Sequence, residues 1–277
     1  MNATLDAYLE RLHQTASDAS IWSGKQGKVV GRFFRATLTS AFQAIREIDS
    51  ARIVAFEGYV RNDAEGDAGL SPWKVLDQAA GDSDSIALDR LSRVLHAVNF
   101  FRQPGSAGRD LFLSVDARLL SGVGSNHGMA FLQVLRRLEL PQERIVLQLP
   151  AVAEEENWLL NYVADNYRRN GFRLAVRAND LRHAGHLLDH VLPDVIKLDA
   201  RCAAQGTEAR ALLRDAAARG ARLVFNKVDS RAVATPLAQL ADLAGQAVCG
   251  QGFLWDVPGA ILSQAEAVEY GTTLETA

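Results

Sequence analysis

Between residues 111 and 250 the chain repeats one unit: a short apolar run, then an amphipathic stretch of helical period. The runs fall at 111–115, 145–149, 172–176, 195–198, 222–226 and 247–250, and the amphipathic stretches at 129–138, 155–169, 181–192, 207–219 and 232–243. Asn170-Gly171 and Gly220 close two of these helices, where a left-handed residue ends the hydrogen-bond ladder. Strands that are apolar on both faces are buried on both faces, so the pattern predicts a mostly parallel sheet covered by helices. Its number and spacing of units predict a TIM-type (β/α) barrel rather than an open sheet. In that fold the site is built at the carboxyl ends of the strands. No internal sequence repeat or low-complexity segment is present.

The segment before this rhythm is different. Phe42-Gln43-Ala44-Ile45 reads as a strand, Asp49-Ser50 as a turn, and 53–60 as a second strand rich in β-branched and aromatic residues. Glu57 stands inside that second apolar run, and Arg61 marks its polar far end. A buried carboxylate is costly unless it is paired, hydrogen-bonded or bound to a cation. Glu57 therefore has a partner in a cleft or points out of an edge strand. The acidic stretch 62–69 reads as a solvated loop, and 85–101 as a helix with Ile86, Leu88, Leu91, Leu95 and Val98 on its apolar face, ended by Gln103-Pro104-Gly105. Upstream, Leu5, Tyr8, Leu9 and Leu12 place an amphipathic helix in residues 1–20. It packs on the barrel or serves a dimer or partner contact. The polar segment 23–28 reads as a link, and the barrel begins near Phe33. The expected division is 1–32 for helix and linker, 33–265 for the barrel domain and 266–277 for a tail.

Composition excludes several classes. A hydrophobic fraction of 48% suits a globular core, and a net charge of −3 gives no general pull toward nucleic acid or an anionic membrane. Arg35 and Arg168-Arg169 are isolated basic spots, not a nucleic-acid footprint. No apolar run reaches membrane-spanning length, and the amino terminus lacks a signal-peptide pattern. The two cysteines, Cys202 and Cys249, are far apart with no metal-type spacing. Free thiols in a reducing compartment, the cytoplasm, are expected. Around Val224-Phe225-Asn226-Lys227 no glycine-rich phosphate loop is present. His183, His186 and His190 share a helix face. Three imidazoles in that arrangement can ligate zinc or copper, but the expectation is a solvated face, with no metal and no cofactor.

Three motifs in order resemble those of the EAL-domain family, the phosphodiesterases of cyclic di-GMP and their inactive relatives. Phe42-Gln43-Ala44-Ile45 with Glu57-Gly58-Tyr59-Val60-Arg61 is similar to the family's Tyr-Gln-Pro-Ile and Glu-Ala-Leu-Leu-Arg. Val195-Ile196-Lys197-Leu198-Asp199 resembles Val-Ile-Lys-Ile-Asp, and Gln251-Gly252-Phe253-Leu254 with Pro258 resembles Gln-Gly-Tyr-Leu-Phe and its following proline. The resemblance covers about residues 40–262. It implies a barrel of the EAL kind with an antiparallel first strand.

The resemblance also implies a site: acidic and amide ligands at the strand ends that hold two divalent cations and activate a bridging water. The first glutamate and the lysine of that pattern match Glu57 and Lys197. Elsewhere Ser114 stands for the family's Asn, Gln148 for a Glu, Arg177 and Ala178 for an Asp pair, and Asn226 and Asp229 for two Glu. Hard cations need several oxygen ligands in a tight shell, and a guanidinium supplies only donors. Arg177 is therefore expected beside Glu57 in place of a cation. In the family, residues matching Gln43, Arg61 and Pro258 line the nucleotide groove, so the expected nucleotide set is Gln43, Glu57, Arg61, Arg177, Lys197, Asp229, Gln251 and Pro258. The expectation is a catalytically inactive EAL-like signalling protein, not an enzyme, acting as a cyclic di-GMP receptor and/or through a protein partner; a homodimer is possible, nucleic acid and membrane insertion are not expected. The alternatives are a metal-dependent cyclic di-GMP phosphodiesterase and an interaction module that no longer binds nucleotide.

Overall fold

The structure, a computed structural model, describes residues 21–24, 27–63, 81–118, 127–152, 157–244 and 247–263. The expected amino-terminal helix, the carboxy-terminal tail and most of the acidic loop after Asn62 lie outside these residues. Ten strands are described: β1 (Ile21–Ser23), β2 (Val29–Phe33), β3 (Ala36–Glu47), β4 (Ile53–Asn62), β5 (Asp110–Ser114), β6 (Ile145–Leu149), β7 (Arg173–Arg177), β8 (Val195–Asp199), β9 (Arg222–Asn226) and β10 (Cys249–Gly250). Six α-helices lie between them: α1 (Asp82–Phe101), α2 (His127–Arg137), α3 (Asn157–Arg169), α4 (Leu181–His190), α5 (Gly206–Ala218) and α6 (Arg231–Ala244).

From β4 to β10 each strand pairs in parallel with the next, and β3 runs antiparallel to both β4 and β10. Eight strands thus close into a barrel whose first strand is reversed, as expected. Closure removes every free edge among these strands. Outward-facing residues such as Phe56, Leu111, Leu147, Leu174, Ile196, Leu223 and Phe225 pack under the helices in one continuous core.

The barrel interior follows from the two-residue period of strands. One layer takes a residue from each strand: Ile45, Ala55, Phe112, Val146, Ala175, Val195, Val224 and Cys249, all buried. A step of two residues toward the carboxyl ends of β4–β10, and toward the amino end of reversed β3, changes the chemistry. The next positions are Gln43, Glu57, Ser114, Gln148, Arg177, Lys197, Asn226 and Gln251, all polar or charged. An apolar plug thus underlies a polar floor.

Two strands were not expected. β1 pairs antiparallel with β2 at Trp22–Val30, and β2 pairs with the start of β3 at Gly31–Leu38. This hairpin covers the apolar face of α1 with a second core of Ile21, Val29, Phe33, Leu38, Leu88, Leu91, Leu95 and Val98. Gly31 allows the close approach: a Cβ there would lie 2.8 Å from Leu91 Cδ1. Asn99 of α1 stitches the pieces together. Its amide donates to the Val29 carbonyl (2.8 Å) and to Ser40 Oγ (3.2 Å), and accepts from the Val29 N–H (2.7 Å). His96 Nδ1 lies 2.8 Å from the same Ser40 hydroxyl. Burial lowers the His96 pKa to about 3, so the ring is neutral.

Candidate functional site

Glu57 is the centre of the polar floor. Its carboxylate is almost fully buried and accepts hydrogen bonds from Lys197 Nζ (2.7 Å), Tyr59 Oη (2.7 Å) and Gln251 Nε2 (2.9 Å) on one oxygen. The other oxygen accepts from Gln148 Nε2 (3.2 Å) and faces Arg177 Nη2 (3.4 Å). Strands β4, β6, β7 and β8 and the residue just after β10 supply these groups, so barrel closure itself positions them. Lys197 also donates to Gln251 Oε1 (2.8 Å) and sits 5.7 Å from the centre of the Phe112 ring in the apolar layer below. Gln148 Nε2 is 3.3 Å from Ser114 Oγ.

Burial alone would raise the Glu57 pKa, but the charges of Lys197 and Arg177 override it and hold the group at about 2. Burial acts the other way on Lys197, lowering its pKa, with the Glu57 charge opposing the shift. The Tyr59 hydroxyl is pushed up, by burial first and by the Glu57 charge second, so it remains a donor. The floor therefore holds a carboxylate with two cations, one interior and one at the mouth. The Arg177 side chain is 46% exposed, against 1% for Lys197.

The other expected residues divide. Lys197, Gln251 and Arg177 meet at Glu57. Gln43 stands opposite Glu57 in the β3–β4 register, with its Oε1 3.4 Å from Tyr59 Oη, while its Nε2 donates to the Asp256 carbonyl (2.7 Å). Arg61 and Pro258 meet each other: Arg61 Nη2 lies 3.4 Å from the Pro258 carbonyl. Asp229 is not with Glu57. It lies on the rim, half-exposed, 3.2 Å from Arg201. His183 is buried, whereas His186 and His190 stack on each other, so the three do not form one solvated face. Among the described residues, no group of three or more His, Cys, Asp and Glu side chains is arranged to hold a metal ion.

Three participants were missed in the sequence. Tyr59 stands where the family motif has Leu and was given no role, yet two residues beyond Glu57 on one strand means the same face. Asp199 ends β8 and meets Lys227 (3.2 Å) and Arg201 (3.1 Å). Burial would raise its pKa, but the Arg201 backbone N–H and Lys227 keep it lowered. Asp256 accepts both Nε (2.6 Å) and Nη2 (2.8 Å) of buried Arg46, a bidentate pair. It anchors the strap of residues 252–262, which lies along β3 through mutual backbone hydrogen bonds of Phe42 and Gly259. Gly252 is obligatory in that strap, because a Cβ would fall 2.0 Å from the Val228 carbonyl oxygen.

These donors do not fit a pair of hard divalent cations. Glu57 is the one carboxylate of the floor, and a divalent ion about 4 Å from Arg177 meets a repulsion of about 8 kcal/mol at an effective dielectric constant of about 20. Buried Gln148 Oε1 and Asn226 Oδ1 have no hydrogen-bond partner, but they are neutral oxygens. Among the described residues, Glu57, Asp199 and Asp229 face Lys197, Arg177, Arg201 and Lys227, and Arg61 adds a further cation. Among these residues the cations outnumber the carboxylates, five to three.

The fold is shared with solved structures. Klebsiella pneumoniae BlrP1 in a manganese and cyclic di-GMP complex is similar with 19% identity and TM-score 0.67, over 87% of this chain and 59% of that one. The Bacillus subtilis YkuI protein, with an EAL domain in complex with cyclic di-GMP and calcium, is similar with 20% identity and TM-score 0.63, over 83% of this chain and 58% of that one. A standalone EAL protein from Vibrio cholerae in its cyclic di-GMP-bound form gives 18% identity and TM-score 0.62, over 83% of this chain and 96% of that one. The chain thus spans under two thirds of the first two proteins. Comparison with curated proteins finds no match. Among the described residues no helix is long and apolar enough to cross a membrane. The family model for the EAL domain matches residues 32–255, more than half of the chain, and the chain belongs to the EAL domain family.

Proposed function

We propose that this EAL domain is a signalling module that holds cyclic di-GMP without hydrolysing it and passes the bound state to a protein partner. The observation that carries this reading is the state of Glu57. The floor's one carboxylate is committed to Lys197 and Arg177. Hydrolysis of a phosphodiester at neutral pH needs an activated water, supplied in metal sites by a cation that lowers its pKa. Here fixed side-chain cations stand against that carboxylate, and neither guanidinium nor ammonium generates hydroxide. Binding is a separate matter. The guanidinium groups of Arg177 and Arg61, with Gln43 on the strand beside Arg61, favour a ligand with phosphates and amide-reading edges.

A second reading, a metal-dependent phosphodiesterase, is favoured by the unpartnered oxygens of Gln148 and Asn226, because amide oxygens ligate hard cations. One assay separates the two. The protein is incubated with cyclic di-GMP and magnesium or manganese, and the nucleotide is followed by chromatography. The dinucleotide is expected to stay intact. Linear pGpG formed in proportion to protein, and abolished by Glu57→Ala, overturns the first reading in favour of the second.

A further inference from the structure

We propose that Arg177 is the phosphate-holding group of this site, so that a cyclic dinucleotide phosphodiester is bound directly by the guanidinium and binding does not depend on divalent cations. The inference rests on the receptor reading above and specifies how its site works.

Arg177 ends β7 at the mouth, and its backbone is fixed there by pairing with Lys197 and by the Ala178 N–H donating to the Lys197 carbonyl (2.9 Å). Its guanidinium is half-exposed, and its contact with Glu57 is long, 3.4 Å through Nη2 alone. Glu57 does not need that contact. It already receives Lys197, Tyr59, Gln251 and Gln148. The ammonium of Lys197 also pairs with that carboxylate, from inside the barrel, so among the described residues Arg177 is the second cation on Glu57 and the one at the open side. A guanidinium carries five donors in a planar fork that matches two oxygens of one phosphate. Lys197 cannot serve in its place, because it is 1% exposed and its donors point to Glu57 and Gln251. Direct contact by a fixed cation removes the requirement for an ion that the donor set does not hold.

The test is titration calorimetry of the full chain with cyclic di-GMP, once with excess EDTA and once with manganese. Wild type is expected to bind with the same affinity in both. Arg177→Gln is expected to weaken binding by at least about tenfold, or about 1.4 kcal/mol, in both conditions. Arg177→Lys, which keeps the charge and loses the fork, is expected to fall between. Melting temperatures of both variants are expected to match wild type, since the side chain is half-exposed and its one contact is long. Binding abolished by EDTA and restored by manganese overturns the inference and leaves the receptor reading standing. So does an Arg177→Gln variant that binds like wild type. Flat titrations of wild type in both buffers overturn the receptor reading, and the inference with it.

Discussion

Glu57→Ala removes the acceptor on which the polar floor converges. Lys197, 1% exposed, keeps Gln251 Oε1 as a neutral acceptor and loses its counter-charge. Tyr59 Oη, Gln251 Nε2 and Gln148 Nε2 lose a shared acceptor at the same time. Breaking a buried ion pair from one side costs about 3–5 kcal/mol. A domain of this length loses about 2 °C of melting temperature per kcal/mol, so the expected drop is about 6–10 °C. The mirror change, Lys197→Met, costs less, because Glu57 keeps Arg177 and three neutral donors. The double variant Glu57→Leu with Lys197→Met recovers most of the loss, since it leaves no buried charge and fills the space. The deficit of Glu57→Ala also shrinks with rising pH. A buried Lys197 without Glu57 has a further lowered pKa, so the folded state binds fewer protons than the unfolded chain and gains stability as pH rises. Thermal and urea unfolding of the four proteins at pH 6 and pH 9 test each step. A Glu57→Ala variant that melts with wild type, or a double variant no more stable than the single one, refutes the reasoning.

Two further outcomes are expected. His96 is held neutral with a pKa of about 3 by burial, so stability falls as pH drops below about 6.5, by about 1.4 kcal/mol per pH unit. Urea midpoints between pH 6.5 and 5 should show this slope in wild type and lose it in His96→Gln; an equal slope in both removes His96 from the account. Gly252→Ala drives a Cβ into the Val228 carbonyl at 2.0 Å, against backbone held on both sides by Val228 N–H to Gln251 O and Leu254 N–H to Val228 O. The strap must move, at about 3 kcal/mol, and a variant with wild-type urea midpoint contradicts the packing described.

The βα rhythm was legible because parallel strands buried on both faces read as unbroken apolar runs, such as Ile145-Val146-Leu147. β3 was read as four residues and is twelve. Outside those four it holds Thr39, Ser40 and Arg46, which look like loop residues in sequence; their partners lie on Val29, His96, Asn99 and Asp256. β1 is three residues long, too short to carry a period. At the site, Lys197 and Gln251 were legible through motifs, and Arg177 through the register of β7 against β8. Asp229 was expected in the nucleotide set through its motif; Lys227 takes a left-handed backbone (φ 60°) between β9 and Asp229, and Asp229 stands at the rim. Tyr59 was missed because the family motif has an apolar Leu at its place, which gives no hint of the hydroxyl that reaches Glu57.

The hairpin of β1 and β2 has a consequence for where this protein ends as a folding unit. The EAL family model begins at residue 32, yet Ile21, Val29 and Val30 are buried upstream of it. A chain cut at that homology border uncovers Leu88, Leu91 and Leu95 and leaves both polar ends of the Asn99 amide without the Val29 backbone. Asn99 also holds Ser40, three residues from Gln43 on the same strand. What the family model matches and what packs as one piece therefore have different borders.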